Sequence, residues 1–369
     1  MRHLPDLELS SLKRRWCAFT FAFTLAGLLF FSACQKTGTG PGTTPPAPPD
    51  TTSHNFSWQT FTFGGEHGSS VLQDVAIINE NDIWAVGEIH TAQTDTYDSL
   101  GNWQPPFNAV HWNGVKWELK RIFYNYQGSN FFSTIPSLFA FDKNDIWFGN
   151  FTHWNGDKFE SIVLNISFPS RVNKIWGASS DDVYIVGNSG LIAHYDGQGW
   201  QKIESGTTTN ANDIWGYVDP KSGEKTVLAT VTDRYSLGEI RLFSISKQGV
   251  KDTLNWSPSH KVYTVWLGKQ TSVYAGGAGL FQYRARQWNR IQIPDYFITR
   301  IRGSSKSNLM VVGAFGLVAH YNGSSWKTYS QLIMMNGQLE GLAVKDRLAI
   351  AVGQLGNSAV IVKGKQFKL

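Results

Sequence analysis

Four histidines, His111, His153, His194 and His320, occupy one place in a recurring phrase. Each is followed by an aromatic residue, then Asn or Asp, then Gly. Imidazole is the commonest metal ligand and the usual acid–base group near neutral pH, so four of them invite a metal or catalytic reading. Their spacing argues against it. One histidine per repeat, on equivalent strands, spreads the set around the molecule, and each is read as a structural group bonding near its own turn. Arg300 and Arg302 are a second candidate. They lie two apart on one expected strand and therefore share a face of it. The third group is aromatic: Tyr97, Trp103, Phe107, Tyr124, Tyr126, Phe131 and Phe132, set among Asn, Gln, Ser and Thr. Rings in such company serve protein-binding loops and sugar platforms alike, and also serve simply to order a long loop. There is no Gly-x-Ser-x-Gly elbow, phosphate loop or His-Glu-x-x-His. No catalytic residue, metal or cofactor is assigned.

The elements that must position these residues are strands. Val172–Trp200 reads VNKIWGASSDDVYIVGNSGLIAHYDGQGW and Ile298–Trp326 reads ITRIRGSSKSNLMVVGAFGLVAHYNGSSW. Both contain an apolar strand, a polar turn, a second strand ending in Gly, a short turn, and a third strand running into Asp/Asn-Gly before Trp. Looser copies fill the rest of the chain from about residue 57. The equivalent glycine falls at Gly87, Gly149, Gly187, Gly277, Gly313 and Gly353, with gaps of 62, 38, 90, 36 and 40. The gap of 90 holds two repeats, the degenerate one running through Ile214–Gly216, Thr226–Val231 and Ile240–Ser244. The gap of 62 is one repeat with an insertion. Seven units of roughly 40–45 residues result, the period of four-stranded propeller blades. The expected fold is all-β, a single β-propeller over 57–369. The turns Asn113-Gly114, Asn155-Gly156, Asp196-Gly197 and Asn322-Gly323 mark hairpins. The aromatic residue three positions after each turn (Trp117, Phe159, Trp200, Trp326) is expected on an outer strand, packing between blades. Trp58–Phe63 is expected to complete the last blade, whose own outer strand, Gln366–Leu369, is a stub.

The first thirty-three residues read as an address. Lys13, Arg14 and Arg15 precede an uncharged apolar run from Trp16 to Phe31, short for a spanning helix, which needs roughly 20 residues. The run ends in Phe31-Ser32-Ala33-Cys34. The other reading is an ordinary signal peptide cut elsewhere. Of the two cysteines, Cys17 lies inside the apolar run, which leaves the mature chain no thiol for a disulfide or a nucleophile beside Cys34. Residues 34–56 are expected to be a disordered Pro/Gly/Thr-rich linker. The net charge is +5, falling to +3 once residues 1–33 are removed. With no Lys/Arg run after residue 15, nucleic acid is not an expected partner.

Two resemblances follow from these residues. Phe31-Ser32-Ala33-Cys34 resembles the lipobox of bacterial lipoproteins, with Phe where that pattern usually has Leu. The resemblance implies cleavage after residue 33, a lipid on Cys34 and a bilayer as partner; Gln35 implies outer-membrane sorting. The repeats resemble those of exported bacterial propeller lipoproteins and are similar to two-component-regulator and kelch-like propellers. That implies a monomeric domain binding an envelope protein or a glycan. The alternative is a glycan-active enzyme on a propeller. Asp196-Gly197-Gln198-Gly199-Trp200 has the wrong spacing for a sialidase box, and no third arginine is equivalent to Arg300 and Arg302, which are expected to face the channel. In a propeller, the loops joining strands two and three and those joining successive blades lie on one face. The insertion 88–107 and the segment 123–134 therefore share a face, and the seven aromatic residues named above, all within these two segments, form the candidate ligand-binding surface.

Overall fold

In the computed structural model the described residues are 51–367, apart from the short stretches 163–170, 236–237, 257–258 and 269–271. The expected signal peptide, Cys34 and most of the linker lie outside them. Seven antiparallel four-stranded sheets follow one another along the chain, and two additional two-stranded hairpins stand beside them. The innermost strands are Val71–Asn79, Leu138–Asp142, Val172–Ser179, Ala211–Val218, Val262–Gly268, Ile298–Ser305 and Gly337–Lys345. Each touches the next, and the seventh touches the first, so the ring is closed. The protein is a seven-bladed β-propeller. The degenerate repeat forms blade 4, Ala211–Asp252.

The recurring residues have local physical causes. A Cβ on Gly87, Gly187, Gly277, Gly313 or Gly353 would collide with a carbonyl oxygen, that of Val71, Arg171, Lys261, Phe297 and Gln338 in turn. The second strand runs against the start of the innermost one there, and only Gly leaves room for it. Six innermost strands carry a one-residue bulge at this same level. The histidines are explained equally well. His111, His153 and His194 donate Nε2–H to Asp82, Asp145 and Asp182 at 2.9, 2.8 and 2.7 Å. Each ring also lies on the aromatic residue two positions after that aspartate, Trp84, Trp147 or Tyr184, at 4.2–4.4 Å. The set is a cross-strand brace repeated in successive blades. Trp117, Trp200 and Trp326 open outer strands and reach rings of the preceding blade. Phe159 departs from expectation. It lies on Phe148 and Trp154 of its own blade and is 40% exposed.

The closing strand runs from Phe56 to Phe63 and pairs along its whole length with Ala359–Gln366. It is two residues longer than expected. Gln366 ends the third strand of blade 7, so among the described residues no stub of a separate outer strand exists there. The alternation of a strand sends Phe56 and Trp58 to Tyr329 of blade 6, and Phe61 and Phe63 to Trp117 of blade 1. Immediately before this strand, Thr52 bonds to the carbonyls of Asn322 and Ser307 at 2.9 and 2.6 Å. The His54 carbonyl accepts from the Tyr329 hydroxyl at 2.8 Å.

Candidate functional site

The bulges set the chemistry of the central channel. The extra residues are Gln73, Asn173, Asn212, Tyr263, Thr299 and Glu340. A bulge re-aims the side chain it adds, and five of these six line a well of about 390 Å³ at the upper end of the axis. Charged residues deeper in these strands close the well from below. Asp74 of blade 1 accepts from Lys174 of blade 3 at 2.5 Å and from the Leu138 amide of blade 2 at 3.0 Å. Asp213 of blade 4 receives Arg302 in a two-pronged pair at 2.6 and 3.0 Å and Arg300 at 2.8 Å. It also accepts from Thr264 Oγ1 and the Val265 amide of blade 5 at 2.5 and 3.1 Å. All five charged groups are almost completely buried. Burial favours a neutral Asp213, but Arg302 and Arg300 outweigh it and hold the carboxyl at about 2. Burial lowers Lys174 to about 8, against the pull of Asp74.

Arg300 and Arg302 thus occupy the innermost strand and face the axis. Arg302 lies below the well, with its guanidinium 4.4 Å from the Trp215 ring. Arg300 lines the well itself. Two further arginines join it from outside the strand: Arg171, just before blade 3, and Arg234, in the loop between the second and third strands of blade 4. These two, with Asp74, Lys174 and Asp213, were not singled out from the sequence. The signal available was positional. Aligning the repeats on the second and third residues of each innermost strand places an amide or charged residue there in most blades, where an apolar strand would be expected.

The aromatic residues come together on the same upper face. Thr96–Tyr97 pairs with Trp103–Gln104, and Tyr124–Tyr126 pairs with Ser129–Phe131. Neither hairpin belongs to a blade. The Trp103 ring meets Phe132 at 6.1 Å, and Phe132 meets Phe123 at 6.0 Å; Tyr124 stacks on Phe131 at 5.7 Å. Part of the cluster therefore orders the loops. Phe107 has that role more fully: it opens the third strand of blade 1, packs on the core and lies 4.1 Å beneath the Arg121 guanidinium. Three of the rings also face solvent. Tyr97 is 70% exposed, Trp103 48% and Phe131 44%. Leu100 and Phe123, which the sequence reading omitted, extend this surface. Tyr126 ends its short strand opposite Ser129. Arg121 ties the first loop down through the carbonyls of Pro105 and Gln93.

No protein-family model matches the chain, and no curated protein matches it in sequence. Solved propellers match it in shape. YCF48 bound to a D1 peptide aligns at 12% identity and a TM-score of 0.58, over 88% of this chain and 99% of the other. A catalytically inactive virginiamycin B lyase from Staphylococcus aureus with quinupristin aligns at 10% identity and 0.61, over 85% and 100%. The WD40 propeller domain of Doa1 aligns at 11% identity and 0.57, over 86% and 99%. At these identities the likeness is one of fold.

Proposed function

We propose that this chain is an exported outer-membrane lipoprotein, anchored through a lipid on Cys34, whose monomeric propeller binds an envelope protein by its upper face. The observation that carries the binding reading is the pair of hairpins at 96–104 and 124–131. Closing the ring requires neither, yet together they hold large apolar side chains in water on one face. Exposed apolar surface of that kind marks an interaction site. The YCF48 structure, in which a propeller of the same architecture holds a peptide, supports a protein as partner.

The test is capture of partners from envelope extracts by the full-length protein in detergent, beside two variants. In one, residues 90–105 are replaced by a short Gly-Ser turn; the other is Trp103→Ala. The first should keep its circular dichroism spectrum, because no blade strand lies within the replaced segment, and should lose partner. The second should cost about 2 kcal/mol of binding if Trp103 anchors the contact. Undiminished capture by a well-folded loop variant would refute the assignment of the partner to this surface. The anchor is tested separately: Cys34→Ala should remain soluble or unprocessed, and normal maturation into membranes would exclude the lipid. The enzyme reading rests on the axial arginines. Hydrolysis of a polysaccharide panel, lost in an Arg300 variant, would replace the binding reading.

A further inference from the structure

Resting on the reading of the upper face as a protein-binding surface, we propose that the axial well receives the carboxylate at the C-terminal end of a peptide. Three features of the well lead there. The first is charge. Three arginines, Arg171, Arg234 and Arg300, line the well against two carboxylates, Glu340 and Asp233. Arg234 pairs with Glu340 at 3.1 Å, whereas among the described residues Arg171 has no carboxylate partner and its side chain bonds to that of Gln73. Arg300, 6% exposed, gives Nη1 to Asp213 and Nε to the Glu340 carbonyl, and among the described residues Nη2 has no protein partner. A guanidinium edge left open to the well beside an arginine that has no ion pair among the described residues suits a carboxylate, since such pairs bond strongly and with defined geometry.

The second feature is shape. The buried cluster of Asp213, Arg302 and Lys174 closes the floor, so the well admits an end and not a chain passing through. The third is the wall. Asn173 donates to Asn188 Oδ1 and the Ala211 carbonyl, and Asn212 donates to the carbonyls of Asn210 and Thr232. Their own Oδ1 atoms, and the amide groups of Asn188 and Asn210, remain available as acceptors and donors, the complement of a peptide backbone. A sugar would call for an uncovered ring in the wall. The two rings of the wall, Tyr263 and Tyr235, are both met by the Arg234 guanidinium, at 5.3 and 5.7 Å.

The experiment exposes the full-length protein in detergent to a randomised octapeptide library with free C-termini and to the same library amidated, with trigalacturonate as a separate probe. Free-ended peptides should be retained on the order of tenfold better than amidated ones, and Arg171→Ala, a change at an exposed position, should remove that preference. Arg300→Lys should weaken it while keeping the charge of the floor. Equal retention of both libraries overturns the carboxylate well and leaves the binding surface standing, because Trp103→Ala would still lower both. Retention of trigalacturonate and neither library overturns it in favour of an acidic glycan. Retention of nothing overturns it as well, and the envelope capture then judges the broader reading by itself.

Discussion

Acid should loosen this propeller through blade 6, where the histidine brace is built differently. Asn308 stands where blades 1 to 3 have Asp, and it donates to Ser304 Oγ and the Asp346 carbonyl, so its Oδ1 accepts from His320 Nε2–H at 3.0 Å. The other nitrogen of His320 faces Nδ1 of His54 at 2.9 Å, and His54 Nε2 reaches Ser325 Oγ at 3.1 Å. With both rings neutral, every nitrogen has a partner; a proton added to either removes an acceptor. His320 is fully buried, and burial together with His54 lowers it to about 3. His54 is lowered too, by burial and by Lys327. A folded-state value below the unfolded 6.5 means that the stabilisation is complete above that pH and is lost as pH falls toward 3. From the His320 shift alone the loss is about 1 kcal/mol at pH 6 and about 2 kcal/mol at pH 5. His90 works the other way in this window, raised by Asp95 and Glu88 against its burial. The comparison must therefore be with Asn308→Asp, which supplies the carboxylate of blades 1 to 3. Urea denaturation at pH 8, 6 and 5 should show the parent losing about 2 kcal/mol more than the variant by pH 5. A parent that loses no more than Asn308→Asp would refute the buried neutral pair.

Three further outcomes follow from the packing. Deleting 56–63 exposes a sheet edge in blade 7 and uncovers Trp117 and Tyr329; it should abolish soluble folded protein, while deleting 35–50 should leave the melting temperature unchanged. Equal melting curves would contradict the closure. Asp213→Asn leaves Arg300 and Arg302 buried without a counter-charge and should cost about 3–5 kcal/mol in denaturant unfolding. An unchanged midpoint would show that the cluster does not hold the floor together. Gly313→Ala drives a Cβ into the Phe297 carbonyl and should cost about 1–3 kcal/mol, whereas Gly199→Ala, with nothing within 4 Å, should be near neutral. Similar losses in both would dissociate the repeated glycine from steric contact.

Much of this architecture is written locally. The glycine used to count blades answers to a contact within its own repeat and persists at Gly277 of blade 5, where the rest of the phrase is blurred; only the degenerate blade 4 has Val231 in its place. The insertion of blade 1 and the loop after it could be assigned to one face because propeller topology determines which loops are neighbours. Phe159 was misjudged because a strand position does not say which blade a ring will lean on. Phe107 was grouped with exposed rings although it opens a blade strand and packs on the core.

The axial site depends on contacts of another kind. Asp213 and Arg302 are 89 residues apart and Lys174 and Asp74 are 100 apart, each pair on non-adjacent blades. No spacing rule links such positions; they meet because the ring closes, and the bulges then decide which side chains turn into its mouth. The sequence by itself determined the number of blades and the structural role of the repeated histidines, since each is a short-range demand repeated along the chain; the closing strand was legible as an outer strand left without a blade of its own, although its partner Ala359–Gln366 lies at the other end of the chain. Only the tertiary structure decided that three arginines surround one well above a buried ionic floor, because that geometry exists only after seven sheets share an axis.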